Sequence, residues 1–93
     1  MSERTLPPEA LNEWAAVLSE ILDLGDEPLP IAQILDLTSV VAKAVARPAA
    51  PLSSFAAGLA AGRAGGSLAD ITAAVETIEA RAREELAQQD GQA

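Results

Sequence analysis

The sequence has no histidine, no cysteine and no tyrosine, and its aromatics are one tryptophan and one phenylalanine. Without cysteine there is no disulfide, no thiol nucleophile and no Cys/His zinc site. Without histidine there is no imidazole base and no Ser-His-Asp triad. Positive charge is scarce as well: 6 Lys+Arg stand against 14 Asp+Glu, a formal charge of -8. An acidic chain repels phosphate backbones, so no nucleic-acid partner is expected. The most apolar window, 37–62, is interrupted by Lys43, Arg47 and two prolines, so no membrane span is expected either. The opening Met1-Ser2-Glu3-Arg4-Thr5 leads to prolines without an apolar stretch. No secretory leader is therefore expected, and the cytoplasm is the expected compartment.

What is present is aliphatic. Of 93 residues, 49% are hydrophobic, chiefly Ala, Leu, Ile and Val. A chain this short is one small domain that buries about 60–65% of its unfolded surface. Cores of that size are marginal, so a homodimer or docking on a larger protein is expected. The charge is segregated. Residues 1–36 carry eight acids and one Arg, and residues 70–93 carry six acids and two Arg. Residues 37–69 carry Lys43, Arg47 and Arg63 and no acid. A basic middle between acidic ends is the strongest electrostatic asymmetry in the chain.

Apolar residues recur with helical period almost throughout, and no strand-like alternation appears. The pattern predicts an all-α, four-helix antiparallel bundle with helices near 8–24, 30–46, 51–63 and 67–88. Residues 1–7 read as an N-terminal extension, 8–88 as the bundle and 89–93 as a disordered tail. Pro8, Pro30 and Pro51 suit first turns, where a missing N–H is harmless. Gly25 and Gly65-Gly66 are natural stops. Ser67-Leu68-Ala69-Asp70 has the form of a capping box with Asp in place of Glu or Gln. The expected core is Trp14, Leu18, Leu35, Val41, Phe55, Leu59, Val75 and Ile78. The second helix bears an extra stripe, Leu37, Val40 and Ala44, which needs cover from outside a lone bundle.

The candidate binding residues are Lys43, Arg47, Ser53, Ser54 and Arg63. Lys43 and Arg47 lie at i, i+4, and Pro51 then opens a helix whose first turn offers free N–H groups beside two hydroxyls. Cations, amides and hydroxyls together suit a phosphate or carboxylate. The same residues also make sense as a plain corner, with cations at a helix C-terminus and prolines fixing the turn. Gly62-Arg63-Ala64-Gly65-Gly66-Ser67 lacks the Gly-Lys-Ser/Thr of a phosphate loop and reads as a helix stop. Gly66-Ser67-Leu68 lacks the Asp that precedes the modified serine of a carrier protein. Gly58 and Gly62 form a small-xxx-small pair that suits a close helix crossing. Asp23, Asp26 and Glu27 do not have EF-hand spacing and read as solvated helix ends. No catalytic set, metal site or cofactor is expected.

Trp14 in the first helix, the run Ala46-Arg47-Pro48-Ala49-Ala50-Pro51-Leu52, and Gly58 and Gly62 together resemble an uncharacterised actinobacterial domain family. Its members occur alone or fused behind molybdenum-cofactor guanylyltransferases, which make molybdopterin-guanine dinucleotide. The likeness spans roughly residues 9 to 82. It implies a link to molybdenum-cofactor biosynthesis and a nucleotidyltransferase partner, with no activity to transfer. Two readings stand side by side: a non-catalytic interaction module, or a domain that binds a small anionic ligand such as a phosphate, nucleotide or pterin. A self-associating structural domain is a third.

Overall fold

Proline and glycine punctuate the chain into its helices. A computed structural model describes residues 8–91. A 3-10 turn, Pro8–Leu11, leads into α1, Asn12–Ile21. Then come α2, Ile31–Ala44, α3, Ala49–Ala64, and α4, Leu68–Gly91. The chain is all-α as expected, with four helices and no strand among the described residues. It divides into two compact units between Leu35 and Asp36.

In the first unit, α1 ends earlier than 24. The stop is Asp23 in the left-handed region at φ 55°, not Gly25. The Leu24 N–H donates to the Ser19 carbonyl at 2.9 Å, and the Asp23 N–H donates to the Glu20 carbonyl at 3.3 Å. This pair of bonds closes a Schellman stop, and a short polar side chain such as Asp tolerates the left-handed backbone it requires. No residue of α1 is buried. The expectation that Trp14 lies in the core fails: it is exposed, as is Leu35, and Leu18 is half-buried.

In the second unit the helices pack as a bundle. α3 and α4 run along one another, joined by a short link that makes them an antiparallel hairpin. The core consists of Leu37, Val41 and Ala44 from α2, Ala50, Ala57 and Ala61 from α3, and Val75 and Ala82 from α4. Two expectations invert here. Leu37 and Ala44, read as needing outside cover, are core residues, and Val40 is half-buried. Phe55 and Leu59, read as core, are exposed. The reason is distance: alanines on the inner face of α3 let the two helix axes approach more closely than Leu or Phe would. Val41 and Val75 are buried as expected, and Ile78 is half-buried.

The turn from α3 to α4 follows the sequence closely. The Gly66 N–H donates to the Ala61 carbonyl at 2.8 Å and the Gly65 N–H to the Gly62 carbonyl at 3.3 Å, with Gly65 at φ 133°. The capping box is complete: the Ser67 N–H donates to Asp70 Oδ2 at 3.0 Å, and the Asp70 N–H to Ser67 Oγ at 3.1 Å. α4 continues past 88 to Gly91. There the Gln89 side-chain amide donates to the Ala44 carbonyl at 2.7 Å and closes the end of α2. The N-terminal extension 1–7 and residues 92–93 lie outside the described residues.

Candidate functional site

The basic corner takes shape where α2 gives way to α3. Lys43 is exposed in the last turn of α2, and Arg47 is exposed in the connection. Among the described residues no ion pair engages Lys43, Arg47 or Arg63. α3 begins at Ala49, two residues before Pro51, because Pro48 is already helical at φ -65° and ψ -19°. Pro51 therefore does not open the helix, the turn expected to offer free amides is not its first, and at the actual start two amides are already bonded. The Ala49 N–H donates to the Ala46 carbonyl at 3.1 Å and the Ala50 N–H to the Arg47 carbonyl at 3.0 Å. Pro51 has no N–H. The donor cradle for an anion is therefore largely spent within the turn.

The remaining candidates are dispersed. Ser53 is half-buried, and the Ser54 hydroxyl is sealed from solvent with no hydrogen-bond partner. Arg63 is exposed in the last turn of α3. Ten residues of helix separate it from Ser53, about 15 Å along the axis. The structure thus gathers Lys43, Arg47, Ser53 and Ser54 toward one end of α3 and leaves Arg63 at the other.

Beside that corner runs an open groove of about 670 Å³. Val41, Ala44, Val45, Ile78 and Ala82 line much of it, and Ser53 and Gln89 also contribute. Thr77, Arg81, Glu85 and Gln89 in its lining already have partners. Thr77 Oγ1 donates to the Ala73 carbonyl at 2.8 Å, and Arg81 Nε donates to Glu85 Oε2 at 3.0 Å. In the first unit a second open cavity of about 780 Å³ is lined by Ser19, Glu20, Asp23, Asp26 and Glu27, among others. Among the described residues no three acids are grouped to hold a metal ion. Ser67 Oγ donates to Asp70 Oδ2 at 2.9 Å, so the hydroxyl that invites a carrier comparison is committed to the helix cap.

The glycine pair does not make the close crossing. A Cβ built at Gly58 or Gly62 meets nothing within 4 Å. The close seam runs one residue away, through Ala57 and Ala61.

The most distinctive surface is apolar, and it includes Trp14, Phe55 and Leu59, three residues expected in the core. On α3, Leu52, Phe55 and Leu59 stand at i, i+3 and i+7 and are 68%, 70% and 46% exposed. On α1, Trp14, Val17 and Ile21 repeat that spacing and are also exposed. Isolated exposed leucines are ordinary, but a row of large apolar side chains on one helix face is not. A signal for it existed: Ala50, Ala57 and Ala61, spaced by seven and four, supply a second possible inner face for α3.

Among the described residues no helix is long and apolar enough to cross a membrane. No curated protein and no solved structure matches the chain. A family model does, over residues 6–92, nearly the whole length. The chain belongs to the family described as the domain of unknown function DUF6457.

Proposed function

We propose that this protein is a non-catalytic accessory module that docks on another protein through the exposed face of α3. One observation carries the reading: Leu52, Phe55 and Leu59 point out of a bundle whose inner seam is built from alanines. Large side chains held on a rigid helix are the usual anchors of a helix-mediated interface. The partner is taken from the family resemblance: a molybdenum-cofactor guanylyltransferase of the same actinobacterial cytoplasm, to which such domains are also fused. The exposed cations Lys43, Arg47 and Arg63 favour an acidic rim on that partner.

The test is calorimetric titration of the full chain into the purified guanylyltransferase. Phe55→Asp is expected to weaken binding at least tenfold, and Glu84→Ala on the exposed side of α4 to leave it unchanged. Absence of binding by the parent chain would remove the guanylyltransferase as the partner. An anion held at the corner is the competing reading, favoured by the unpaired Lys43 and Arg47 and disfavoured by the spent amides of Ala49 and Ala50. Phosphate or guanine-nucleotide binding that is lost in Arg47→Ala and kept in Phe55→Asp would select it.

A further inference from the structure

The two exposed rows match in length and oppose in charge. Trp14 to Ile21 on α1 and Leu52 to Leu59 on α3 each span seven residues, a rise of about 10 Å. The only charged residues of α1 are Glu13 and Glu20, and Asp23 follows it. No Lys or Arg occurs between Arg4 and Lys43. The only charged residue of α3 is Arg63, and Lys43 and Arg47 precede it. No acid occurs between Asp36 and Asp70. Gly58 and Gly62, each three residues beyond Phe55 and Leu59, face open space and leave room for another helix to come close.

We infer that a second copy of this chain covers α3. Helix α1 of one copy lies along Leu52, Phe55 and Leu59 of the other, and the arrangement is reciprocal. The inference takes α3 to be a docking face, as above, and names the occupant when the chain is on its own. Charge selects this pairing over α3 against α3, which would bring Arg47 and Arg63 of both copies together with no acid between them. Area selects it too. Trp14 and Phe55, 57% and 70% exposed, would each bury roughly 100–150 Å². The six side chains of both rows come to roughly 600 Å² per copy, so a reciprocal dimer buries on the order of 1,200 Å², the lower edge of a stable interface. Two-fold reciprocity also closes the assembly, whereas a one-sided contact would leave one row of each kind open for further growth.

The test uses the full chain, its single tryptophan and two charge-reversed variants. Sedimentation equilibrium is run over a wide concentration range alongside Trp14 fluorescence. One variant is Glu13→Lys with Glu20→Lys; the other is Arg47→Glu with Arg63→Glu. All four side chains are exposed, so folding is preserved. The parent chain is expected to dimerise, with Trp14 emission moving to shorter wavelength as the dimer forms. Each variant alone is expected to dissociate at least tenfold more readily, and an equimolar mixture of the two to recover a mixed dimer.

A monomer at every concentration would overturn the inference. So would a dimer insensitive to both reversals, or Trp14 emission independent of mass. Emission already at short wavelength in a dilute monomer would mean that the chain covers α1 by itself, and would overturn it as well. If the dimer fails while Phe55→Asp still weakens guanylyltransferase binding, α3 remains a docking face and only this occupant is wrong. If Phe55→Asp changes neither, both readings fall.

Discussion

The Gln89 side-chain amide donates to the Ala44 carbonyl at 2.7 Å, tying the far end of α4 to the last turn of α2 across 45 residues of sequence. The carbonyls at a helix end have no partner within the helix, and this bond supplies one in a partly buried place. Gln89→Ala is expected to cost about 0.5–1.5 kcal/mol in urea unfolding, the net worth of a typical hydrogen bond. Gln88→Ala, one residue away and exposed, should leave the midpoint in place.

The start of α4 rests on a reciprocal pair. Ser67→Ala should lose about 1 kcal/mol, as N-cap replacements do. Asp70→Ala should lose a similar amount, and the double variant less than the sum, because both removals break one unit. Gly65→Ala should cost more than about 1 kcal/mol. Its φ of 133° disfavours any side chain, and the new Cβ would sit 3.2 Å from Asp70 Oδ2.

The inversion of faces is measurable as a contrast. Leu37 is fully buried, so Leu37→Ala should destabilise by about 2–5 kcal/mol. Phe55→Ala removes more atoms and should change stability by no more than about 0.5 kcal/mol at concentrations below association. Equal losses would place Phe55 back in the core.

Along α3 the order of tolerance is expected to run against residue size at neighbouring positions. Gly58→Ala and Gly62→Ala have open space and helical backbone, and each should stabilise the isolated chain by about 0.5–1 kcal/mol. Ala57→Leu and Ala61→Leu insert bulk into the seam with α4 and should cost about 1–3 kcal/mol each. Thermal melts of the four variants read both effects.

Helix number, the Gly65-Gly66 stop and the Ser67-Asp70 cap were legible in the sequence because glycine and capping residues act locally, whereas α1 stops at Asp23 before Gly25 and α4 runs past 88 to Gly91. Ser67 and Asp70 behave as their spacing suggests, and Pro48 and Pro51 bracket the entry to α3. Side-chain orientation on α3 was not legible. That helix is apolar all round except at Ser53, Ser54 and Arg63, so period alone does not choose a face. Burying area favours Leu52, Phe55 and Leu59; close approach favours Ala50, Ala57 and Ala61, and close approach prevails. The corner was half legible. Lys43 and Arg47 are exposed where expected, but the Ala49 and Ala50 amides are used because Pro48 is helical already. That is a backbone fact with no sequence signature beyond proline itself.

Among the described residues, five of the eight that form the buried core are alanines. An alanine hidden from water sheds little ordered solvent compared with leucine or phenylalanine. Unfolding this chain therefore newly hydrates little apolar surface, and its heat-capacity change should fall below the roughly 12–15 cal/mol/K per residue of ordinary domains. A small heat-capacity change flattens the curve of stability against temperature. The denaturant slope shrinks with it, since both follow the surface exposed. A protein so built melts over a broad range when warmed and gives up little on cooling, so its folded fraction varies slowly with temperature.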